Sequence, residues 1–247
     1  MQLTFEHIYN SGIVIERNDV FEHRHDAGIL SRYDSNFIQF LEMPTLLQLQ
    51  QAEQYLKAFH EARGQHFLKF KFPANEVPPK ALVDYLKKYT VGYLELYAID
   101  PMQFQAVSTE AEVKFVDDDD LAEFLQMQYN EDIHFGAQYA AEKQGFLLRQ
   151  RQKPGHHQLL AYKNGQPVGS VELIETDKTI EIDNFYVLAT KRGQGIGAAI
   201  QQFIMQYAEE KVVILVADGQ DTVRDMYKKQ GYCYYGFQYE ALLVNEG

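Results

Sequence analysis

Apolar and polar positions alternate most clearly in the last two-thirds of the chain. "EVKFV" (112–116) alternates as a half-buried strand does. "HQLLAY" (157–162) and "QPVGSVELIE" (166–175) read as two more strands, joined by Lys163-Asn164-Gly165. Asn-Gly between apolar alternations predicts a hairpin, because both residues tolerate the positive φ of its turn. "KTIEIDNFYVL" (178–188) is a further strand, entered through a polar turn at Thr176-Asp177. "VVILVAD" (212–218) is continuously apolar, the pattern of a strand covered on both faces. Elsewhere the period is helical: over 119–150, with breaks expected near Gly136 and Gly145, from the glycines near 195 to about Glu210, and over 221–230. Gly231 suits the end of that last helix, since glycine takes the left-handed cap without strain. "YCYYGFQYEALL" (232–243) closes the chain as one strand or two.

The first hundred residues gain order when laid over the second half. "SNFIQFLEMPTLLQLQQAEQYLKAF" (35–59) sits over "DNFYVLATKRGQGIGAAIQQFIMQY" (183–207) at a constant offset, with Asn36-Phe37 on Asn184-Phe185. "HFLKFKF" (66–72) then takes the part of "VVILVAD", and "DYLKKYTVGYLELYAI" (84–99) that of "DMYKKQGYCYYGFQYEAL" (225–242). Both copies read strand, turn, helix, strand, helix ending in Lys-Lys, strand. Self-similarity in a fixed order points to duplication. The copies differ at one place. Where the second has Arg192-Gly193-Gln194-Gly195-Ile196-Gly197, the first has Pro44-Thr45-Leu46-Leu47-Gln48-Leu49, with no glycine. The pattern is interrupted at "PMQFQAVSTEA" (101–111), which sets the expected domains at 1–105 and 106–247.

A glycine-rich turn opening a helix is a place to hold phosphate, because unpaired backbone N–H groups and the helix dipole face the anion there. A nucleotide-triphosphate loop would need Lys-Ser or Lys-Thr after the glycines, and none follows. A dinucleotide fingerprint fits Gly193-x-Gly195-x-x-Ala198, with Asp218 as the ribose-binding acid. Against it, Ala189-Thr190-Lys191-Arg192 separate strand from glycine, and the upstream strands are hairpin-linked. A third reading uses Arg192 as well. Arg192-x-x-Gly195-x-Gly197 resembles the Arg/Gln-x-x-Gly-x-Gly/Ala signature of the GNAT acyltransferases, and "VRDMYKKQGY" resembles a second motif of that family.

The resemblance covers about 112–243. It implies an α/β (α+β) protein of two GNAT-like, mixed but mostly antiparallel sheets flanked by helices, the first a degenerate copy without the phosphate turn. It also implies acetyl-CoA as cosubstrate, held at its pyrophosphate by the backbone of Gly193, Gln194, Gly195, Ile196 and Gly197 with Arg192. The pantetheine arm and the oxyanion would meet backbone groups of Phe185, Tyr186 and Val187. Direct attack by an amine needs a base, an oxyanion donor and an acid for the departing thiolate, but no enzyme nucleophile. Glu181 lies eleven positions before Arg192, where some members of the family carry a glutamate base. Asp183 shares its strand face and is the alternative, with bound water a third possibility. Tyr227 matches the family's tyrosine acid. Where the family often has Asn for the pantetheine arm, this chain has Gln220, which puts that contact in question. The first half is expected to help wall the acceptor site. The rival from another class is a coenzyme A-binding or regulatory module without turnover.

Composition narrows the surroundings. The 247 residues carry a formal charge of −12, which repels nucleic-acid backbones and leans towards a cationic acceptor. Asp117–Asp120 precede a helix and most simply cap it. There is no apolar run long enough to span a membrane and no secretory signal, and one cysteine, Cys233, makes no internal disulfide, so a cytoplasmic place is expected. Cys233, in an aromatic strand, is expected in the core. His156-His157 would diverge along a strand, and His23-x-His25 lacks an evident third ligand, so no metal is expected. The expected partners are a small-molecule or peptide amine, with the chain a monomer or homodimer.

Overall fold

The structure, a computed structural model, describes residues 2–106, 109–220 and 224–244. In chain order its elements are β1 (Ile13–Arg17), β2 (Phe21–His25), β3 (Phe37–Phe40), α1 (Leu46–Glu61), β4 (Phe67–Ala74), α2 (Lys80–Tyr85), β5 (Thr90–Ile99), β6 (Glu112–Phe115), α3 (Leu121–Asp132), α4 (Ala137–Arg151), β7 (His156–Lys163), β8 (Gln166–Glu175), β9 (Thr179–Val187), α5 (Ile196–Ala208), β10 (Val212–Asp218), α6 (Arg224–Lys229) and β11 (Cys233–Val244). They form two compact units. The first holds Met1–Leu96, Ala217–Thr222 and Tyr235–Gly247; the second holds Tyr97–Val216 and Val223–Tyr234. No helix among the described residues is long and apolar enough to cross a membrane.

In the first unit β2 pairs antiparallel with β1 and β3, and β3 runs parallel to β4. The other edge of β4 is taken by the end of the chain, from Gln238↔Ala74 to Val244↔Phe67, antiparallel. β4 is buried along nearly its whole length, and such a strand needs partners on both edges and cover on both faces. Phe70 and Phe72 stack on Phe40, α1 adds Leu49 and Leu56, and Ala241 of β11 completes this core. The lysines that interrupt "FLKFKF" are matched by charge: Lys69 meets Glu240 at 2.7 Å and Lys71 meets Asp34 at 3.2 Å.

In the second unit β6, β7, β8 and β9 pair antiparallel in sequence order, and β10 lies parallel to β9. The β7–β8 hairpin turns through Asn164 (φ 55°) and Gly165 (φ 72°), as the sequence pattern predicts. The two faces of this sheet differ in chemistry. Gly169 meets Ile196 and Ile200 of α5, on a face lined by Val171, Leu173, Ile180 and Ile182. Ser170, one residue on, bonds Gln128 of α3, and Gln158 bonds the Leu147 carbonyl of α4. The face towards α3 and α4 therefore carries polar groups: Gln158, Ser170, Glu172 and Glu181 are all buried.

Several expectations change. The helical region breaks at Gly136 (φ 115°) but runs through Gly145, where a Cβ would meet nothing closer than an Arg149 nitrogen at 3.5 Å. The aspartates do not cap α3 with a side chain. Asp117 instead accepts from the N–H groups of Asp119 and Asp120 in the preceding turn, and Asp120 pairs with Lys114 at 2.8 Å. Cys233 is exposed rather than in the core, because β11 begins with three exposed residues before its buried positions. The closing segment forms a single strand, Cys233–Val244. The start of the last predicted helix, 221–223, lies outside the described residues, and α6 occupies 224–229 before Gly231 (φ 93°).

Candidate active site

β9 starts as an ordinary buried strand. Thr179–Ile182 pair in parallel with Val212–Leu215, and there the ladder ends, although β9 runs on to Val187. On the β8 side, Glu172 opposes Asp183 but Ser170 opposes Tyr186. β9 thus carries one extra residue, a β-bulge, which bends a strand and leaves backbone groups unpaired. Asn184 sits in it at φ 50°, with its N–H bonded to the Asp183 carboxylate at 2.8 Å. Phe185, Tyr186 and Val187, expected to offer backbone contacts, therefore lie in a segment that has left its parallel partner.

The turn after β9 prepares a helix N-terminus. Gly193 (φ 73°) and Gly195 (φ 80°) occupy the left-handed region, where an L side chain is strained. A Cβ on Gly193 would meet nothing within 4 Å, and one on Gly195 only the Thr109 hydroxyl at 3.9 Å, so the space over the turn is open. Gly197 is held differently: a Cβ there would touch the Phe185 ring at 3.7 Å. Gly195 is the N-cap of α5 and supplies no side-chain acceptor. The first bond within the helix runs from Ala199 N–H to the Gly195 carbonyl at 2.9 Å, so the N–H groups of Ile196, Gly197 and Ala198 precede any intrahelical acceptor. The Arg192 Nε donates to the Val187 carbonyl at 3.1 Å, tying the turn to the end of β9. Gln194 bonds the Thr190 carbonyl and receives Lys163.

The matching helix of the first unit is capped by its own side chains. The Thr45 hydroxyl accepts from Gln48 N–H, and the Gln48 side chain accepts from Thr45 N–H at 2.8 Å. This reciprocal capping box uses up first-turn donors of α1.

Glu181 is buried (6% exposed) on the polar face, opposite Ile174 of β8 and Ile214 of β10. Asp183 lies two residues on, half-buried, at the bulge. Beside it burial pushes the His156 imidazole down to about 4, with Lys153 and His157 adding to the effect and Asp183 opposing it. His157 points to the other face, to Glu175 at 2.9 Å and to Tyr207 of α5, so the two histidines diverge as expected. Burial raises the Tyr186 phenol to about 12, and its hydrogen bond to Glu131 adds to that. Tyr227 is half-buried on α6, its ring 5.5 Å from those of Tyr97 and Tyr232. Gln220 belongs to the first unit, where its side-chain amide donates to the Val91 carbonyl at 3.4 Å.

Sequence reasoning passed over a buried network behind the bulge: Gln128, Asp132, Lys143, Glu172 and the Asn184 side chain. Its signal was present. Gln128 and Asp132 are four apart on one helix face, and Glu172 interrupts an otherwise apolar strand.

Comparison with known proteins agrees with this geometry. Residues 119–232 match the model of the "Acetyltransferase (GNAT) family". These residues are a GNAT-family acetyltransferase domain. Residues 3–97 match a "Domain of unknown function (DUF5613)". A functionally unknown conserved protein from Staphylococcus epidermidis ATCC 12228 is 34% identical over 99% of both chains, with a TM-score of 0.91, and the present chain belongs to its family. A GCN5-related N-acetyltransferase from Kribbella flavida shares the fold at 16% identity and TM-score 0.64, over 96% of this chain and 91% of that one. A tandem GNAT protein from the clavulanic acid biosynthesis pathway does so at 10% identity and TM-score 0.56, over 92% and 80%. No curated protein matches significantly. The chain is thus a tandem GNAT-like protein whose first half lacks the glycine turn. The dinucleotide reading falls, since β9 is antiparallel to β8 and a further turn, Ala189–Lys191, separates it from the glycines.

Proposed function

We propose that the GNAT domain transfers an acetyl group from acetyl-CoA to a primary amine by direct attack. The observation that carries this reading is the pairing, within one unit, of an uncapped α5 N-terminus with a β9 segment that leaves its parallel ladder just before it. Bound acetyl-CoA supplies an acyl group activated as a thioester. The α5 N–H groups and Arg192 bind the pyrophosphate. Backbone N–H groups of Phe185–Val187 hold the charge that develops on the carbonyl oxygen. Glu181 takes the amine proton, directly or through water, and Asp183 is the alternative base. Tyr227 gives a proton to the sulfur. The C–N bond forms as the C–S bond breaks, so one proton leaves nitrogen and one reaches sulfur. The acceptor is a small-molecule or peptide amine, and the excess of carboxylates favours one that is cationic.

The test is thiol release from acetyl-CoA over a panel of polyamines, amino acids, aminoglycosides and peptides. Cys233 is exposed and would react with the thiol reagent, so the Cys233→Ser variant is used. Release with at least one amine supports the proposal. Tight binding of acetyl-CoA with no release for any amine makes the domain a binding module instead.

A further inference from the structure

Four non-glycine residues among those described take positive φ. Asn75, Asn164 and Glu209 do so in turns, and Asn184 does so inside a strand. Asparagine tolerates this conformation better than most residues, but it still requires support from its surroundings. Asn184 receives that support from three elements. Its Nδ2 donates to the Gln128 side chain of α3 at 2.6 Å and to the Glu172 carboxylate of β8 at 3.3 Å. Its Oδ1 accepts from Lys143 Nζ of α4 at 3.3 Å. Donors meet acceptors in one amide orientation, which fixes the assignment.

The partners are themselves anchored. Lys143 Nζ pairs with Asp132 of α3 at 2.9 Å, and Gln128 donates to Ser170 of β8 at 2.8 Å. Lys143 is 7% exposed and Asp132 2%. Taking an ammonium and a carboxylate out of water stabilises a fold little, because desolvation offsets their attraction. A buried pair of this kind is better explained by what it holds in place.

The duplicated half supplies a natural control. Asn36 occupies the same slot in the repeat and is also fully buried, yet its φ is −138°. Its amide bonds the Ile29 and Arg32 carbonyls and the Asp26 N–H, and the β2–β3 ladder beside it is regular from Phe21↔Phe40 to Arg24↔Phe37. The same residue type at the same position makes no bulge in the copy whose helix caps itself.

We propose that Asn184 is a positioning residue for acyl transfer: Lys143, Asp132, Gln128 and Glu172 lock it in the left-handed bulge, and the bulge holds the Phe185–Val187 backbone off the parallel ladder. The effect on turnover rests on the acyl-transfer reading; the lock itself does not. The variants are Asn184→Gly, which keeps the backbone conformation without strain and deletes the anchors, Lys143→Met, and the conservative Lys143→Arg. The first readout is the 15N order parameters of Phe185–Val187, expected near 0.85 in the parent and below about 0.6 in Asn184→Gly and Lys143→Met. The second is kcat, expected to fall about a hundredfold in both, the cost of one misplaced oxyanion donor, while acetyl-CoA Kd stays within about threefold. Lys143→Arg should keep both near the parent. If Lys143→Met does not fold, Asn184→Gly decides alone. Order parameters and kcat of Asn184→Gly equal to the parent's overturn the proposal. A parent without turnover on any amine defeats the acyl-transfer reading, and the order parameters still decide the lock.

Discussion

Acid should undo the first unit before the second, because three imidazoles are buried there, each with one ring nitrogen that has no hydrogen-bond partner. His23 and His25 share a face of β2, and His60 comes from α1; they are 0%, 8% and 1% exposed. Phe59 lies edge-on to His23 and His25, at 4.6 and 5.0 Å between ring centroids. His23 Nδ1 meets the Tyr55 hydroxyl at 3.1 Å and His60 Nδ1 the Phe67 carbonyl at 2.6 Å, while His23 Nε2, His25 Nδ1 and His60 Nε2 have no hydrogen-bond partner. Burial, then the other two imidazoles and Arg63, push His23 down to about 3. Burial pushes His60 to about 4 against the pull of the Phe67 carbonyl, and His25 is lowered as well, with Asp26 and Asn36 opposing. These folded values lie below the ordinary 6.5, so the unfolded chain takes up protons first as pH falls. The contribution is complete above pH ~6.5 and is lost as pH drops towards 4 and then 3. His23 and His60 are each still neutral in the folded state at about pH 5, a pH roughly 1.5 units below the unfolded value, so keeping them neutral costs about 2 kcal/mol apiece, or roughly 4 together. That is a large share of a typical domain stability of about 5–15 kcal/mol. Urea unfolding followed by circular dichroism at several pH values between 7.5 and 5 measures the slope, and the His23→Gln/His60→Gln double variant should flatten it. C2–H resonances of His23 and His60 that titrate near pH 6.5 in the folded protein, or a parent stability unchanged down to pH 5, would refute the reasoning. The second unit has one lowered imidazole, His156 at about 4, against three in the first, and its carboxylate Glu175 lies in the opposite regime: Lys211 and Tyr207 hold it at about 2, so its contribution is lost only as pH falls below about 4.5.

Three further outcomes are expected. Tyr227→Phe lowers kcat by about two orders of magnitude, the range for a lost general acid, with acetyl-CoA Kd within about twofold; unchanged kcat removes Tyr227 from the chemistry. Glu181→Gln lowers kcat/KM for the amine by a similar factor and erases the acidic limb of the pH–rate profile; a surviving limb moves the base to Asp183 or to water. Ellman's reagent modifies Cys233 in the native protein within minutes, since it is exposed, and Cys233→Ser keeps full turnover because direct attack uses no thiol.

What was legible in the sequence was local. The Asn164-Gly165 hairpin, the apolar run of β10 and the glycine N-cap of α5 each follow from a few adjacent residues whose preferences agree with the fold. Pairings between distant segments were not legible. The bulge at Asn184 exists only because β8 and β9 differ by one residue over a short stretch, and no residue in "EIDNFYV" announces it. His60 joins His23 and His25 because α1 packs against β2, which supplies a third imidazole that spacing alone did not show. The end of β11 pairs with β4 because that buried strand lacks a second edge partner, whereas a linear reading leaves those residues with the second half. Cys233 lies outside the core although its aromatic neighbours suggest a core position, because those at the start of β11 are themselves exposed.

The central claim is that one turn, Arg192–Gly197, binds the acyl donor and that its counterpart at Pro44–Leu49 does not. Isothermal titration of acetyl-CoA into the parent and into Gly195→Glu tests both parts. The left-handed N-cap and the open space above it predict about one site per chain in the parent and none in the variant, whose side chain brings strain and negative charge to the helix N-terminus. Unchanged affinity in Gly195→Glu, or two sites in the parent, would contradict the account.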